Sequence, residues 1–490
     1  MEYGVRYGGQ GAVSESKRTI GWVPVAGMAK LGFALLAVAT PLLGVWIGSS
    51  LARMFGGPVW LPILCGALCF PVLPLVWEAV GRWRRRNRTR PPILTLFDRL
   101  LLRTLSINVV FVGALLALYP STVFTALSER GDWMLEGRDA PWAEQARDVL
   151  HATADRMQWL HELTHPNEYE ELIDPTSTGD QTEIDSDSWG EFSWQPSQGG
   201  ASKPEDVYRD DAWPFEPELH PLVLEVPADA QNTPEEVGAF FAARESDPLQ
   251  RLRAVHDYVA NRTAYDVPAL RTMNFPPQDA QTVLDTKIAV CAGYAQLVKA
   301  IGDAADLEVV VVVGKTRSSD GLGHAWNAAK VDGKWYLLDA TWDAGSVGGD
   351  TFTKSFGTRY LMTPPTVFLS DHFPDDEKWQ FVEEPLSMGD FLRQPNLEPS
   401  FFAFGFRLLS PRRPTVTATG GSITVALENP NGFDVSAMSY VGESWEGESS
   451  RCEVQRDEVV VCPLAASGPN LVVLFGPDHK NMAQVLVTRK

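Results

Sequence analysis

Three stretches without a charged residue occupy most of the first 128 positions, and they limit what this chain can fold into more than any other feature. They run over 31–52, 54–77 and 104–128. At about 1.5 Å of helical rise per residue, each can cross a hydrocarbon core of about 30 Å. Pro41, Pro62, Pro71 and Pro74 interrupt the first two runs and predict kinks, which packed membrane helices tolerate. Arg82, Arg84, Arg85, Arg86, Arg88 and Arg90 separate the second run from the third, and Arg99 and Arg103 flank the third. A positive loop of this density is retained on the cytoplasmic side. The expected layout is a cytoplasmic tail over 1–27 and a three-helix membrane region over 28–128. Everything after about residue 129 then lies outside the cytoplasmic membrane. A buried soluble hairpin is the alternative, and three successive runs weigh against it. The late first run and its two successors also argue against a cleaved signal peptide.

The net charge is -20, although the membrane region is basic, so the remainder is strongly acidic. That balance excludes nucleic acid as the expected partner. Between 129 and 205 we expect a connector. Trp142, Ala146, Val149, Leu150, Met157 and Leu160 predict one amphipathic helix over 142–163, followed by an acidic, Ser/Gly-rich tether. From 385 to 490 the pattern becomes short strands: Thr415–Thr419, Ser422–Leu427, Asp434–Tyr440, Glu458–Cys462, Leu471–Phe475 and Gln484–Thr488. A small antiparallel, immunoglobulin-like β-sandwich is expected there. Cys65 and Cys69 lie inside the second apolar run and read as packing residues. Cys452 and Cys462 fall opposite each other if the chain turns at Asp457, making them disulfide candidates in an oxidising compartment.

That leaves Cys291 as the unpaired thiol of the soluble part. Tyr294, Leu297, Val298 and Ile301 follow it at helical spacing, so a helix starts at or just after Cys291. A thiol there meets the positive end of the helix dipole and unpaired N–H groups, both of which favour the thiolate. Downstream, His324–Val331 and Lys334–Asp339 read as strands joined by the two-residue turn Asp332-Gly333. Pairing Val331 with Lys334 sets Trp326 opposite Asp339 and His324 opposite Thr341. His324, Trp326 and Asp339 then share a face, with Asp343 the substitute if the strand slips. A carboxylate orienting an imidazole that polarises a thiol is the logic of a nucleophilic triad.

Val290-Cys291-Ala292-Gly293-Tyr294-Ala295, Gly323-His324-Ala325-Trp326 and Trp335-Tyr336-Leu337-Leu338-Asp339-Ala340-Thr341-Trp342 resemble the transglutaminase-like superfamily, as does the short stretch Ala264-Tyr265-Asp266. Tyr360-Leu361-Met362-Thr363-Pro364-Pro365 and the stretch from Asp371-His372-Phe373-Pro374 to Trp379-Gln380 resemble its kyphoscoliosis-peptidase-like branch. The resemblance covers about 206–384. It implies an α+β thiol fold with Cys291 as nucleophile, His324 as base and Asp339 as orienting carboxylate, and it implies no cofactor. Tyr265, Tyr294 and Trp326 are candidates to line the acyl site. The implied activity is attack on amide bonds of proteins or envelope peptides through an acyl-enzyme, with hydrolysis favoured over cross-linking. A silent scaffold that binds an envelope partner is the alternative.

One competing motif is His161-Glu162-Leu163-Thr164-His165, which matches the zinc-peptidase pattern H-E-x-x-H. Pro166 disfavours helical geometry at His165 and no third ligand is evident, so no metal is expected.

Overall fold

The computed structural model describes residues 39–55, 60–86, 94–138, 140–162, 167, 169–173, 213–317 and 323–489. The chain divides into two compact units, one of 1–49 with 60–118 and one of 50–59 with 119–490.

Among the described residues of the first unit, two helices are long and apolar enough to cross a membrane, Trp60–Arg85 and Leu96–Leu118. The first predicted run is described only from residue 39, where it is helical. The second run shifts from 54–77 to 60–85 and takes in Glu78. This buried carboxylate lies 2.6 Å from Arg103 and 3.0 Å from Arg99, with Arg85 and Arg82 at 3.5 and 3.6 Å. Of the four prolines, Pro71 marks the clear break: Phe70 leaves helical geometry and Leu68–Val72 is irregular. Asn108 donates to Cys69 O at 3.1 Å in that interrupted turn. Cys69 is buried and Cys65 partly so.

The third predicted run needs correction. The helix spans 96–118 rather than 104–128, and Tyr119 breaks it with φ -142° and ψ 50°. Pro120 has no N–H to continue the ladder and starts a new helix, Pro120–Arg130, in the second unit. Val123, Phe124, Ala126 and Leu127 of that helix are wholly buried. The end of the run is therefore core packing. The single connector helix expected over 142–163 is likewise two, Pro141–Asp155 and Trp159–Glu162. Turn bonds from Met157 N and Gln158 N to Ala154 O and Asp155 O separate them. The break turns Leu160 and His161 inward. The tether expected after Pro166 needs correction at its start, where Asn167, Tyr169 and Ile173 are buried; its remainder to about 203 lies outside the described residues.

The centre of the second unit is α+β. Its helix Cys291–Ala304 packs on a five-stranded antiparallel sheet, in the order Leu361–Thr363, Lys334–Leu338, Gly323–Val331, Glu308–Thr316, His372–Pro374. Helices Pro234–Arg244 and Pro248–Arg262 begin at Thr233 and Asp247, whose side chains accept first-turn N–H groups. With Leu297, Val298 and Ile301 they bury Val237, Phe241, Val255 and Val259 in one core that reaches Val309 and Leu338. This packing fixes the start of the cysteine helix against the sheet.

The C-terminal region is β-rich. Val425, Leu427, Val460, Val472, Leu474 and Val485, from a four-stranded and a six-stranded sheet, share one core. The expected all-antiparallel arrangement is corrected at one place: Thr415–Ala418 pairs in parallel with Asn481–Arg489. Strands Glu453–Gln455 and Val459–Pro463 form a hairpin turning at Arg456 and Asp457, both at positive φ, and Cys452 and Cys462 are joined across it as a disulfide.

Candidate active site

Cys291 begins its helix, behind Val290 in extended geometry. The approach is fixed from two sides. Ala264–Tyr265 pairs in parallel with Ile288–Ala289, and Gln278 Oε1 accepts Val290 N at 3.0 Å. Gly293 allows the contact with Gln278, since a Cβ there would meet Gln278 Oε1 at 2.4 Å. No acceptor among the described residues takes the N–H groups of Cys291 and Ala292, so both point out of the helix mouth unspent.

The histidine strand meets the aspartate as the turn dictates. Asp332 and Gly333 both have positive φ, the mirror-image turn that matches strand twist. The register runs from Val331↔Lys334 to Asn327↔Leu338 and stops one pair short of Trp326–Asp339. Asp339 leaves the ladder because its N–H donates to Tyr360 O at 2.8 Å. Its Oδ1 accepts Thr341 N at 2.8 Å, and its Oδ2 lies 2.8 Å from His324 Nε2. Cys291 is the other group that acts on this imidazole, and Nδ1 is the nitrogen left to face it. Cys291, His324 and Asp339 are all buried.

Burial opposes charge on His324, but the Asp339 carboxylate and Cys291 outweigh it and push its pKa up to about 9. Burial likewise opposes ionisation of Asp339, yet His324 and His372 hold it well below the usual carboxylate range. Asp343 does not substitute for Asp339. Its two oxygens accept Arg359 N and Tyr360 N at 2.9 Å, and it lies 3.3 Å from His256 Nε2.

The other sequence candidates separate. Tyr265 lies beside the thiol, and burial, Cys291 and Tyr169 raise its hydroxyl well above the usual range. Tyr294 is core, its hydroxyl donating to Thr263 O at 2.8 Å. Trp326 is packed on His372 and Phe368, on the side away from the cysteine cluster. His161 is buried against Phe124 and Glu162 receives Gln158, on a helix of four residues, while His165 lies outside the described residues.

Two features were not read from the sequence. His372 reaches the same Asp339 Oδ2 at 3.3 Å. His324, Asp339 and His372 form the group among the described residues whose ligand atoms are close enough to share a cation, all within 4.8 Å. They meet in direct hydrogen-bond contact, however, and need no ion to hold them. The second feature is the segment around Asn167–Ile173. Asn167 Nδ2 donates to Gly314 O at 2.9 Å and His324 O at 3.3 Å, and Gln296 of the cysteine helix donates to Leu172 O at 2.9 Å. Tyr169 and Ile173 are buried in the same apolar cluster as Cys291.

The family model described as the transglutaminase-like superfamily matches residues 236–340. Kyphoscoliosis peptidase of Mus musculus is 30% identical over 195 residues, covering 37% of this chain and 29% of that protein. Hillarin of Drosophila melanogaster is 23% identical over 209 residues, covering 36% and 26%. A solved crystal structure of a TGase is similar over 26% of this chain and 34% of that one, at 25% identity and a TM-score of 0.20. The chain thus spans less than a third of the length of these curated relatives. Residues 236–340 match the transglutaminase-like superfamily, and the chain is similar to kyphoscoliosis peptidase over part of its length.

Proposed function

We propose that this protein is a membrane-anchored thiol enzyme that opens amide bonds of proteins or envelope peptides, with Cys291, His324 and Asp339 as its triad. One observation carries the reading: a thiol at a helix mouth acts on an imidazole whose Nε2 lies 2.8 Å from a buried carboxylate. In the reaction the Cys291 sulfur, its proton held by the His324 imidazolium, adds to the substrate carbonyl. The N–H groups of Cys291 and Ala292 receive the developing oxyanion. The imidazolium, stabilised by Asp339, then protonates the departing amine as the C–N bond breaks, leaving a thioester. Water, deprotonated by His324, releases the acid and restores the thiol. A lysine amine in place of water would give a cross-link instead. Hydrolysis is favoured because two of the relatives are named peptidases.

The two apolar helices and the arginines between them support anchorage, with the amino terminus cytoplasmic and the thiol domain outside. A third span over 31–52 belongs to the same proposal. Because Cys291 is buried beside Tyr169 and Ile173, substrate entry requires that segment to yield its place. The test is alkylation by iodoacetamide at neutral pH, with fragment analysis after incubation with envelope material. The reading expects Cys291 to react faster in the wild type than in His324→Ala, and new fragments to vanish in Cys291→Ala. Equal labelling of both and unchanged fragments would leave only a scaffold.

A further inference from the structure

We propose that His372 is a positioning residue for Asp339: a second imidazole, held as the cation, that keeps the orienting carboxylate ionised and aimed at His324. The inference rests on the thiol-enzyme reading and names a residue that reading does not require. His372 is wholly buried, and each of its ring nitrogens faces a carboxylate. Nδ1 is 2.6 Å from Asp371 Oδ1 and Nε2 is 3.3 Å from Asp339 Oδ2. A neutral imidazole has one N–H and would turn a lone pair toward one of the two carboxylates. Only the imidazolium donates to both. Behind it, Tyr360 donates its hydroxyl to Asp371 Oδ2 at 2.6 Å, which spends that carboxylate's remaining oxygen. The result is a buried string of alternating sign, Asp371, His372, Asp339 and His324, that leads to Cys291.

The surroundings suit a fixed cation. The rings of Phe368, Trp342, Tyr360 and Trp326 lie 4.2, 4.5, 5.2 and 5.2 Å from the His372 ring, centre to centre. Aromatic π-systems attract positive charge, and these four rings enclose the imidazole. The charged groups around it are few. Asp339 and Asp371 touch it, and the His324 ring is 5.4 Å away. Arg317 acts on it only through Asp371, and Arg359 and Glu398 only through Asp371 and Tyr360. Burial opposes the charge, but Asp371 and then Asp339 push its pKa up to about 9. The backbone brings this about through Thr316↔His372 and Gly314↔His324 on opposite edges of one strand. At Gly314 a Cβ would meet Phe373 O at 2.2 Å and the Trp326 ring at 2.4 Å, so only glycine fits between the two histidine strands.

With the cation removed, Asp339 loses a charge that favours its ionised form, and the thiolate loses part of the field that favours it. Both changes move the acid limb of Cys291 reactivity upward. The experiment measures iodoacetamide labelling of Cys291 against pH in the full chain, for wild type, His372→Gln and His372→Phe. Glutamine retains a donor without the charge and phenylalanine has neither. We expect the acid limb to rise by about one pH unit in Gln and further in Phe. Phe368→Leu disturbs the same ring cluster without touching charge, and should lower the melting temperature while leaving the limb in place. An unmoved limb in both His372 variants, with wild type still faster than His324→Ala, overturns the role and leaves the enzyme reading intact. A wild type no faster than His324→Ala overturns both.

Discussion

His324 and His256 are both buried against carboxylates, and of the two only His324 faces a thiol. His324 has Asp339 at 2.8 Å and Cys291 beyond its other nitrogen. His256, between Asp257 at 2.9 Å and Asp343 at 3.3 Å, has acid on both sides. Burial opposes the charge on both and neighbouring carboxylates overcome it, so both reach a pKa of about 9. A perturbed histidine therefore does not by itself mark chemistry. What differs is the third partner. His256 is a clasp: Asp257 also accepts His220 N, and Asp343 holds the Arg359 and Tyr360 amides that frame Asp339. His324 faces an atom that can form and break a bond.

The largest expected contrast is in turnover. His324→Ala should lower amide cleavage by about 10²–10⁴-fold while the chain stays folded. His256→Gln should leave turnover per folded molecule unchanged. If both variants lose activity in proportion to folded protein, the distinction between clasp and base fails. The reverse contrast is expected in stability. Removing His256 strands two buried carboxylates and should cost about 3–5 kcal/mol in urea unfolding of the second unit. A loss below about 1 kcal/mol would mean that water or a backbone group replaces the clasp.

A smaller effect separates the thiol site from its cover. Asn167 ties the segment to the His324 strand and Gln296 ties it to the cysteine helix, with Tyr169 and Ile173 packed in the thiol's own cluster. Replacing both by alanine should speed iodoacetamide labelling of Cys291 about tenfold, by raising the open population by about 1.4 kcal/mol. No change would show that reagent reaches the sulfur by another route. The clasp predicts no such sensitivity, since Asn167 and Gln296 bond to other residues than His256.

Much of the thiol site could be read from the chain because its parts are local. A helix start at Cys291 and a two-residue turn at Asp332-Gly333 fix side-chain direction within a few residues. His372 escaped because its approach to Asp339 depends on an edge strand, added antiparallel beyond Glu308–Thr316, that sequence spacing does not specify. Tyr169 escaped for a similar reason, being more than a hundred residues from Cys291. The error in the third apolar run has a different cause: lack of charge does not distinguish a membrane face from a buried core face. Phe124 and Leu127 satisfy either, and Pro120 was the signal that a new helix began.

The smallest contrast is in the pH dependence of stability. The folded-state pKa values of His324, His372 and His256 are raised to about 9, above an ordinary value of about 6.5. Their stabilisation is fully present below about pH 6.5 and is lost as pH rises through about 9. Asp339 is depressed, so its contribution is present above about pH 4 and lost as pH falls below it. The melting temperature should therefore be highest between about pH 4 and 6.5 and decline toward 9. His256→Gln removes one proton's share of that decline. Cys291→Ala removes less, because the thiol is only one of the groups that raise His324, after Asp339. The two clusters thus differ in how the alkaline slope responds to a change at the sulfur. A slope in Cys291→Ala as shallow as in His256→Gln would mean that the thiolate, not Asp339, is the main partner of His324. An unaltered slope in Cys291→Ala would mean that sulfur and imidazole do not share a proton.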